Sequence, residues 1–178
     1  MKKGFRLTTA SVLFAALSFS SAVSAGNAAH DATFTLGSGY ERFAAKRHID
    51  NTSVPFVALG YNFTDQLALE ALVGGFTTTS NRPEDNGGQV RGTLFALDGI
   101  YRFAAMRDFQ PYVMAGPGAT AMDPNGYDAN VQGNVNGGVG VQYFFYKSIA
   151  LRVEARDFYT FVGGKNDIYI DGGVSFLF

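Results

Sequence analysis

The sequence predicts an all-β fold, an eight-stranded antiparallel up-and-down transmembrane β-barrel. Three observations lead to this prediction. The first 25 residues have the form of an export signal, eight later segments alternate apolar residues with small or polar ones, and the connections between these segments alternate between long and short. The chain has 178 residues, which leaves enough for one domain once the signal is removed.

The export signal occupies residues 1–25. A basic start precedes a short apolar stretch over residues 10–19, and small residues lead to the predicted cleavage point after Ala25. A membrane-spanning helix is the alternative, but it needs about 20 apolar residues and serines interrupt this stretch. The predicted domains are therefore a signal peptide over residues 1–25 and an outer-membrane β-barrel over residues 26–178.

Composition and charge exclude several classes of protein. Residues 26–178 keep 11 of the 14 Lys and Arg residues and all 15 Asp and Glu residues, which gives a net charge of −4. This acidic balance argues against nucleic-acid binding, which needs a basic surface. The absence of cysteine excludes disulfides and thiolate metal sites. The 22 glycines suit a crowded interior, and an aromatic content of 15% suits a lipid-facing belt.

Period-2 alternation identifies the strands in chain order. The segments are residues 31–43, 54–63, 66–76, 90–103, 109–119, 131–145, 149–159 and 167–178. The alternation is clearest in the sixth segment, where Val139, Val141 and Tyr143 share one face and Gly140 and Gln142 share the other. In the fifth segment the small residues leave the facing open. Eight strands are enough to close the smallest membrane barrels.

The connections supply an independent signal. The long ones lie around residues 44–52, 77–89, 120–131 and 160–166, and the short ones lie at residues 64–65, 104–108 and 146–148. Outer-membrane barrels have short periplasmic turns and longer extracellular loops. The spacing therefore predicts a periplasmic N-terminus and four extracellular loops, with the chain located in the outer membrane.

The position of the aromatic residues decides which face meets lipid. A soluble barrel or sandwich would explain the alternation equally well, with its apolar face turned inward. Here, however, aromatic residues cluster beside the short turns, as in Tyr61, Phe63, Tyr101 and Phe103, which is typical of one girdle at a membrane interface. The apolar faces are therefore predicted to face lipid, and the small and polar faces to line the lumen.

Charged residues recur on the predicted lumen face. They are Glu70, Asp98, Arg102, Arg152, Glu154, Arg156 and Asp171. Glu70 and Asp98 are expected at similar height on adjacent strands, as are Arg156 and Asp171. Unpaired charge in a narrow interior is costly, so we expect a mixed-charge network that plugs the lumen. The alternative is a gate, in which a small conducting path opens by an exchange of partners among four of them: Arg152, Arg156, Glu154 and Asp98.

Several segments resemble the OmpA-like outer-membrane β-barrel family. They are residues 58–70, 111–116, 137–145 and 149–159. The chain also ends on alternating apolar residues similar to the signal that the outer-membrane assembly machinery recognises in such barrels: Ile170, Val174, Phe176 and Phe178. The resemblance implies outer-membrane lipid, lipopolysaccharide and this machinery as partners. Many relatives continue into a peptidoglycan-binding domain, whereas this chain stops at Phe178, so no tether to the cell wall is expected.

The sequence contains few residues that could act in catalysis. The two histidines, His30 and His48, lie in the N-terminal tail and the first long loop, away from the Ser and carboxylate partners that a lipid-modifying barrel enzyme requires. We predict no catalytic, cofactor-binding or metal-binding residues. The predicted function is a non-enzymatic outer-membrane protein with a structural or surface-interaction role, its long loops meeting an external ligand or a host surface. A low-conductance pore for small solutes is the alternative, and a lipid-modifying enzyme a more distant one.

Overall fold

A computed structural model describes residues 26–82, 87–124 and 130–178 of the chain. The predicted signal peptide, residues 1–25, lies outside the described residues. Eight strands follow one another: β1 (Ala32–Arg42), β2 (Thr52–Asn62), β3 (Leu67–Thr79), β4 (Gln89–Arg102), β5 (Phe109–Pro124), β6 (Asn130–Tyr146), β7 (Ile149–Thr160) and β8 (Lys165–Leu177). No helix in the described part of the chain has the length and apolar character needed to cross a membrane.

The strands close into a barrel. Each strand pairs antiparallel with its neighbours in sequence, and β1 pairs with β8 from Thr33 opposite Leu177 to Arg42 opposite Ile168. This is an up-and-down barrel, and it confirms the predicted fold class. The short turns lie together at one end of the barrel and the longer connections at the other, here named the short-turn end and the long-loop end.

Side chains alternate between the outer surface and the interior along every strand. In β2, for example, Leu59 is 64% exposed and Val57 is 44% exposed, whereas Phe56 and Ala58, which alternate with them, are buried. Large apolar residues therefore cover the outside. At the short-turn end the outer aromatic rings pack in pairs, Tyr61 on Phe63 and Tyr101 on Phe103.

The strands differ in length, and this shortens one of the predicted connections. β5 and β6 have 16 and 17 residues, against 11 in β1 and in β2, and their pairing extends to Met122 opposite Asn130. The predicted loop over residues 120–131 is therefore shorter, because residues 119–122 carry no turn-forming residue and continue the ladder. The first long connection contains a 3-10 helix, Ala45–Arg47.

The ladder between β2 and β3 is incomplete. It runs from Asn62 only as far as Phe56, directly before Pro55, which has no N–H to donate. Nearer the long loops the first connection replaces it, because the Asp50 amide donates to the Thr79 carbonyl at 2.9 Å. This attachment holds the 3-10 helix at the long-loop end of the barrel.

Candidate functional site

Two arginines of β7 form the centre of the barrel interior. The Arg152 guanidinium donates to both oxygens of Glu70, at 2.6 and 3.0 Å, and lies 3.0 Å from the Glu154 carboxylate. Glu70 on β3 and Glu154 on β7 are both buried. A bidentate contact of this kind fixes the orientation of both partners, because the planar guanidinium matches the geometry of the carboxylate.

The second arginine, Arg156, joins a larger set of acids. Its guanidinium lies 2.5 Å from the Asp98 carboxylate and 2.6 Å from that of Glu154, and the Asn136 amide also donates to Asp98 at 2.7 Å. The Tyr112 hydroxyl donates a short hydrogen bond to Glu154. We name the set Glu70, Asp98, Arg152, Glu154, Arg156 and Asp171 the charge layer. It joins β3, β4, β7 and β8 across the lumen.

Strand register explains most of this arrangement. Residues 152, 154 and 156 alternate on one face of β7, and Glu70 lies directly opposite Asp98, as the sequence predicts. Asp171 lies opposite Glu154 rather than Arg156, and its carboxylate is 3.8 Å from the Arg156 Nε atom. The predicted heights differ here by two residues, since the pairing of Ile149 with Phe176 shifts β8 relative to β7.

Glycine makes room for the charge layer. A Cβ atom added to Gly140 of β6 would lie 2.4 Å from the ring of Tyr112, well inside van der Waals contact. Any larger residue would displace the ring whose hydroxyl bonds Glu154. Gly137, on the outer face of the same strand, has no atom closer than 3.8 Å to such a Cβ.

The structure places Arg102 away from the charge layer. It is the last residue of β4, at the short-turn end, and its guanidinium donates to the Asn62 side-chain oxygen at 3.0 Å. Within the described residues it forms no ion pair. It lies four positions from Asp98 along β4, which is about 13 Å of extended chain, and so on the short-turn side of the charge layer.

An apolar layer occupies most of the interior between the charge layer and the long loops. Its buried side chains are Phe43, Val54, Phe56, Ala58, Leu72, Phe76, Leu94, Ala96, Phe158 and Tyr169. At the same level β5 and β6 contribute the buried polar side chains of Thr120 and Asn134. The sequence predicts a lumen that is small and polar throughout, and this half differs. On β2, β3 and β4 both faces carry apolar residues near the long loops, which is the sequence signal that marks the layer.

Arg47 closes the long-loop end of the lumen. The 3-10 helix directs its guanidinium inward, where it lies 2.5 Å from the Asp167 carboxylate and donates to the Thr160 hydroxyl at 2.8 Å. Its side chain is only 3% exposed. The sequence pattern does not identify Arg47, because no periodicity marks a loop residue that turns back into a barrel.

The N-terminal segment, residues 26–31, lies across the short-turn end. Asn27 is buried, and its amide donates to the side chains of Gln110 on β5 and Gln142 on β6, at 2.8 and 2.7 Å. The His30 amide donates to the Asn62 carbonyl at 2.7 Å. Since the segment leads into β1, on the opposite side of an eight-stranded barrel from β5, it crosses the mouth.

The remaining predicted residues lie on the outside or in the loops. The C-terminal residues alternate on the outer face of the last strand and its end: Ile170, Val174, Phe176 and Phe178. The His30 ring lies 3.1 Å from the Tyr61 hydroxyl, and His48 follows the 3-10 helix with a φ of 54°. Among the residues that the structure describes, no group of three or more His, Asp or Glu side chains converges as metal ligands would.

A closed antiparallel barrel with an apolar outer surface and paired charges inside is the architecture of transmembrane β-barrels. An ordinary soluble barrel has the reverse arrangement, since its outer surface must be polar. The fold and the interior together therefore define this class of membrane protein.

The chain belongs to the outer membrane protein beta-barrel domain family, whose model matches residues 12–176. This match and the solved structures confirm the resemblance to OmpA-like barrels. The N-terminal barrel domain of Pseudomonas aeruginosa OprF is similar, with a TM-score of 0.64 at 20% identity over 85% of this chain and 100% of that one. No curated protein sequence matches the chain.

Two further solved structures have the same fold. Neisserial surface protein A has a TM-score of 0.63 at 14% identity, over 83% of this chain and 96% of that one. Ail of Yersinia pestis, solved in complex with the heparin analogue sucrose octasulfate, has a TM-score of 0.60 at 10% identity, over 84% and 99%. At these identities the similarity concerns the fold alone.

Proposed function

We propose that this outer-membrane barrel is a non-enzymatic protein with a structural or surface-interaction role, whose lumen does not conduct. The short-turn end and the N-terminus face the periplasm, and the long loops face the outside, where they meet an external ligand or a host surface. The observation that carries the proposal is the filling of the interior at four successive levels: the N-terminal segment, the charge layer, the apolar layer and Arg47.

Each level resists the passage of ions for a different physical reason. Separating an arginine from its carboxylates in a buried site leaves charges uncompensated, which costs about 3–5 kcal/mol. On the side of β2, β3 and β4 the apolar layer offers a hydrated ion no polar partner, and beside it the inward polar side chains of β5 and β6 bond to one another, as Asn134 does to Thr120 at 3.1 Å. Arg47 and Asn27 occupy the two mouths with hydrogen bonds to inward side chains.

Planar-bilayer recording of the purified chain tests the sealed lumen. We expect no stable conductance from the wild-type protein under moderate voltage. Whole-cell binding to candidate surfaces, measured with each long loop shortened, tests the surface role. A stable unitary current would refute the sealed lumen, and binding that survives all loop deletions would refute the surface role.

A low-conductance pore is the second candidate, and one observation favours it. Neither oxygen of Asp171 accepts a hydrogen bond from the described residues, although the Arg156 Nε atom is 3.8 Å away. Asp171 is therefore available as an alternative partner for Arg156, as a gate requires. A pore predicts that Glu154→Gln, which weakens the present pairing, raises the current. Equal currents for the variant and the wild type would count against the gate.

The C-terminal residues support a proposal about assembly. Ile170, Val174 and Phe176 lie on the outer face of β8, with Phe178 directly after it, so an assembly factor can reach them before β8 pairs with β1. We propose that the outer-membrane assembly machinery recognises this outer row.

Lipid A mass spectrometry with and without the protein addresses the lipid-modifying alternative, and an altered lipid A would establish it.

A further inference from the structure

Positive side chains from three separate segments meet at the long-loop end of the lumen. Lys46 belongs to the 3-10 helix, Arg82 follows β3, and Lys165 begins β8. They lie at the same end of the barrel as Arg47, which occupies the mouth. We name Lys46, Arg82 and Lys165 the mouth cations.

Short contacts connect these groups. The side-chain oxygen of Gln132 accepts from Arg47 at 3.3 Å and from Lys165 at 3.4 Å, so the two cations share one neutral acceptor. The Lys46 ammonium donates to the carbonyls of Gly163 and Gly164, at 3.4 and 3.3 Å. These acceptors orient the ammonium groups but do not neutralise their charge.

The cluster has an excess of positive charge. Asp167 compensates Arg47, but no carboxylate among the described residues forms an ion pair with any of the mouth cations. The pKa of Lys165 is lowered, first by burial and then by the positive charge of Arg47, with smaller effects of Arg82 and Lys46, although the Asp167 carboxylate acts in the opposite direction. Gathering like charges in this way destabilises the fold unless an anion occupies the space between them.

The mouth cations face solution rather than lipid. Lys165 and Gln132 lie on the inward face of their strands, in phase with the buried Asp167 and Asn134. Lys165 also lies three residues beyond Ile168, the last apolar side chain on the outer face of β8. A lipid headgroup lies outside the barrel wall, whereas a soluble anion has direct access from above the mouth.

We propose that the mouth cations bind a soluble saccharide that carries several sulfate or phosphate groups. The separation of the cations over three segments favours a ligand with several charges over a single ion, because each group then meets its own cation. The inference rests on the proposed surface role and orientation, and it specifies the chemical class of the external ligand.

Calorimetric titration of the full chain, extracted from outer membranes in an uncharged detergent, tests the site. The probes are sucrose octasulfate, inositol hexakisphosphate and inorganic sulfate. We expect at least one of the two multiply charged probes to bind and inorganic sulfate to bind far more weakly. Lys46→Ala and Lys165→Ala should each weaken binding by about 1.5- to fivefold, the range of one exposed ion pair, while Lys165→Arg retains it.

Arg42→Ala and Arg91→Ala are matched controls, since both remove one positive charge from the outer face at the same end of the barrel. They should leave the affinity unchanged. The site would be overturned if the control variants lost as much affinity as Lys165→Ala. It would also be overturned if the triple variant Lys46→Ala, Arg82→Ala, Lys165→Ala bound normally. No saccharide binding, together with less co-purified lipopolysaccharide in the triple variant, would also overturn it and assign the cations to lipid.

Whole-cell binding separates this inference from the proposed function. Attachment that is lost on loop deletion but unchanged in the triple variant would overturn the saccharide site and leave the surface role standing. Saccharide binding in the calorimeter without attachment of cells to any surface would support the site and contradict the surface role. Loss of both in the triple variant, with Arg42→Ala unaffected, is the expected result.

Discussion

Replacing Arg156 with methionine removes the cation that joins the most acids in the barrel. The wild-type guanidinium lies within 2.6 Å of both Asp98 and Glu154, and its side chain is fully buried. Methionine fills much of the same volume but leaves these carboxylates without their cation. Breaking a buried pair in this way costs about 3–5 kcal/mol, so the free energy of unfolding should fall by that amount.

Asp171→Asn is the matched control for this variant. It also removes one buried charge from the charge layer, but neither Asp171 oxygen accepts a hydrogen bond from the described residues. Because the layer holds four acids and two arginines, removing one acid also lowers its negative excess. The free energy of unfolding should therefore change by about 1 kcal/mol or less.

Unfolding in urea, in detergent micelles, measures both variants. The chain has no tryptophan, so circular dichroism and the heat-dependent shift in gel mobility are suitable signals. The reasoning would be refuted if Arg156→Met cost less than about 1 kcal/mol, or if Asp171→Asn cost as much as Arg156→Met, since the charge layer would then not depend on its arginine.

Three further predictions concern substitutions of single residues. Asn27→Ala removes two buried hydrogen bonds and should lower stability by about 1–3 kcal/mol in the same urea assay, whereas an unchanged midpoint would show that the N-terminal segment is not held in place. Gly140→Ala should cost about 1–3 kcal/mol through its clash with Tyr112, and the outer-face control Gly137→Ala should be neutral. Phe178→Ala should reduce the amount of barrel inserted in cells but not refolding of the purified chain, and equal loss in both assays would argue against a recognition role.

The eight strands and their facing could be predicted because alternation is a local property of the sequence. The same alternation identified the members of the charge layer, since a charged residue in phase with small residues has to face the lumen. Glu70 and Asp98 are predicted at the same height because both are counted from the short-turn end of two adjacent strands, β3 and β4, and their pairing confirms that placement.

Other features of the interior could not be predicted, because they depend on contacts distant in sequence. Arg47 reaches Asp167 across 120 residues, and Asn27 reaches Gln142 across 115. Neither belongs to a periodic segment. The apolar layer was missed for a different reason: assigning the outer face by its large apolar residues says nothing about apolar residues on the other face, such as Phe56 and Leu72.

The position of the N-terminal segment bears on the order of two steps, removal of the predicted signal peptide and closure of the short-turn end. Asn27 lies two residues after the predicted cleavage point, and its side chain bonds to Gln110 and Gln142 inside the short-turn mouth. If residues 1–25 are the export signal that the sequence predicts, a precursor that kept them would have to accommodate 25 further residues beside Asn27 in that mouth. We therefore expect cleavage to precede the docking of the N-terminal segment at the short-turn end.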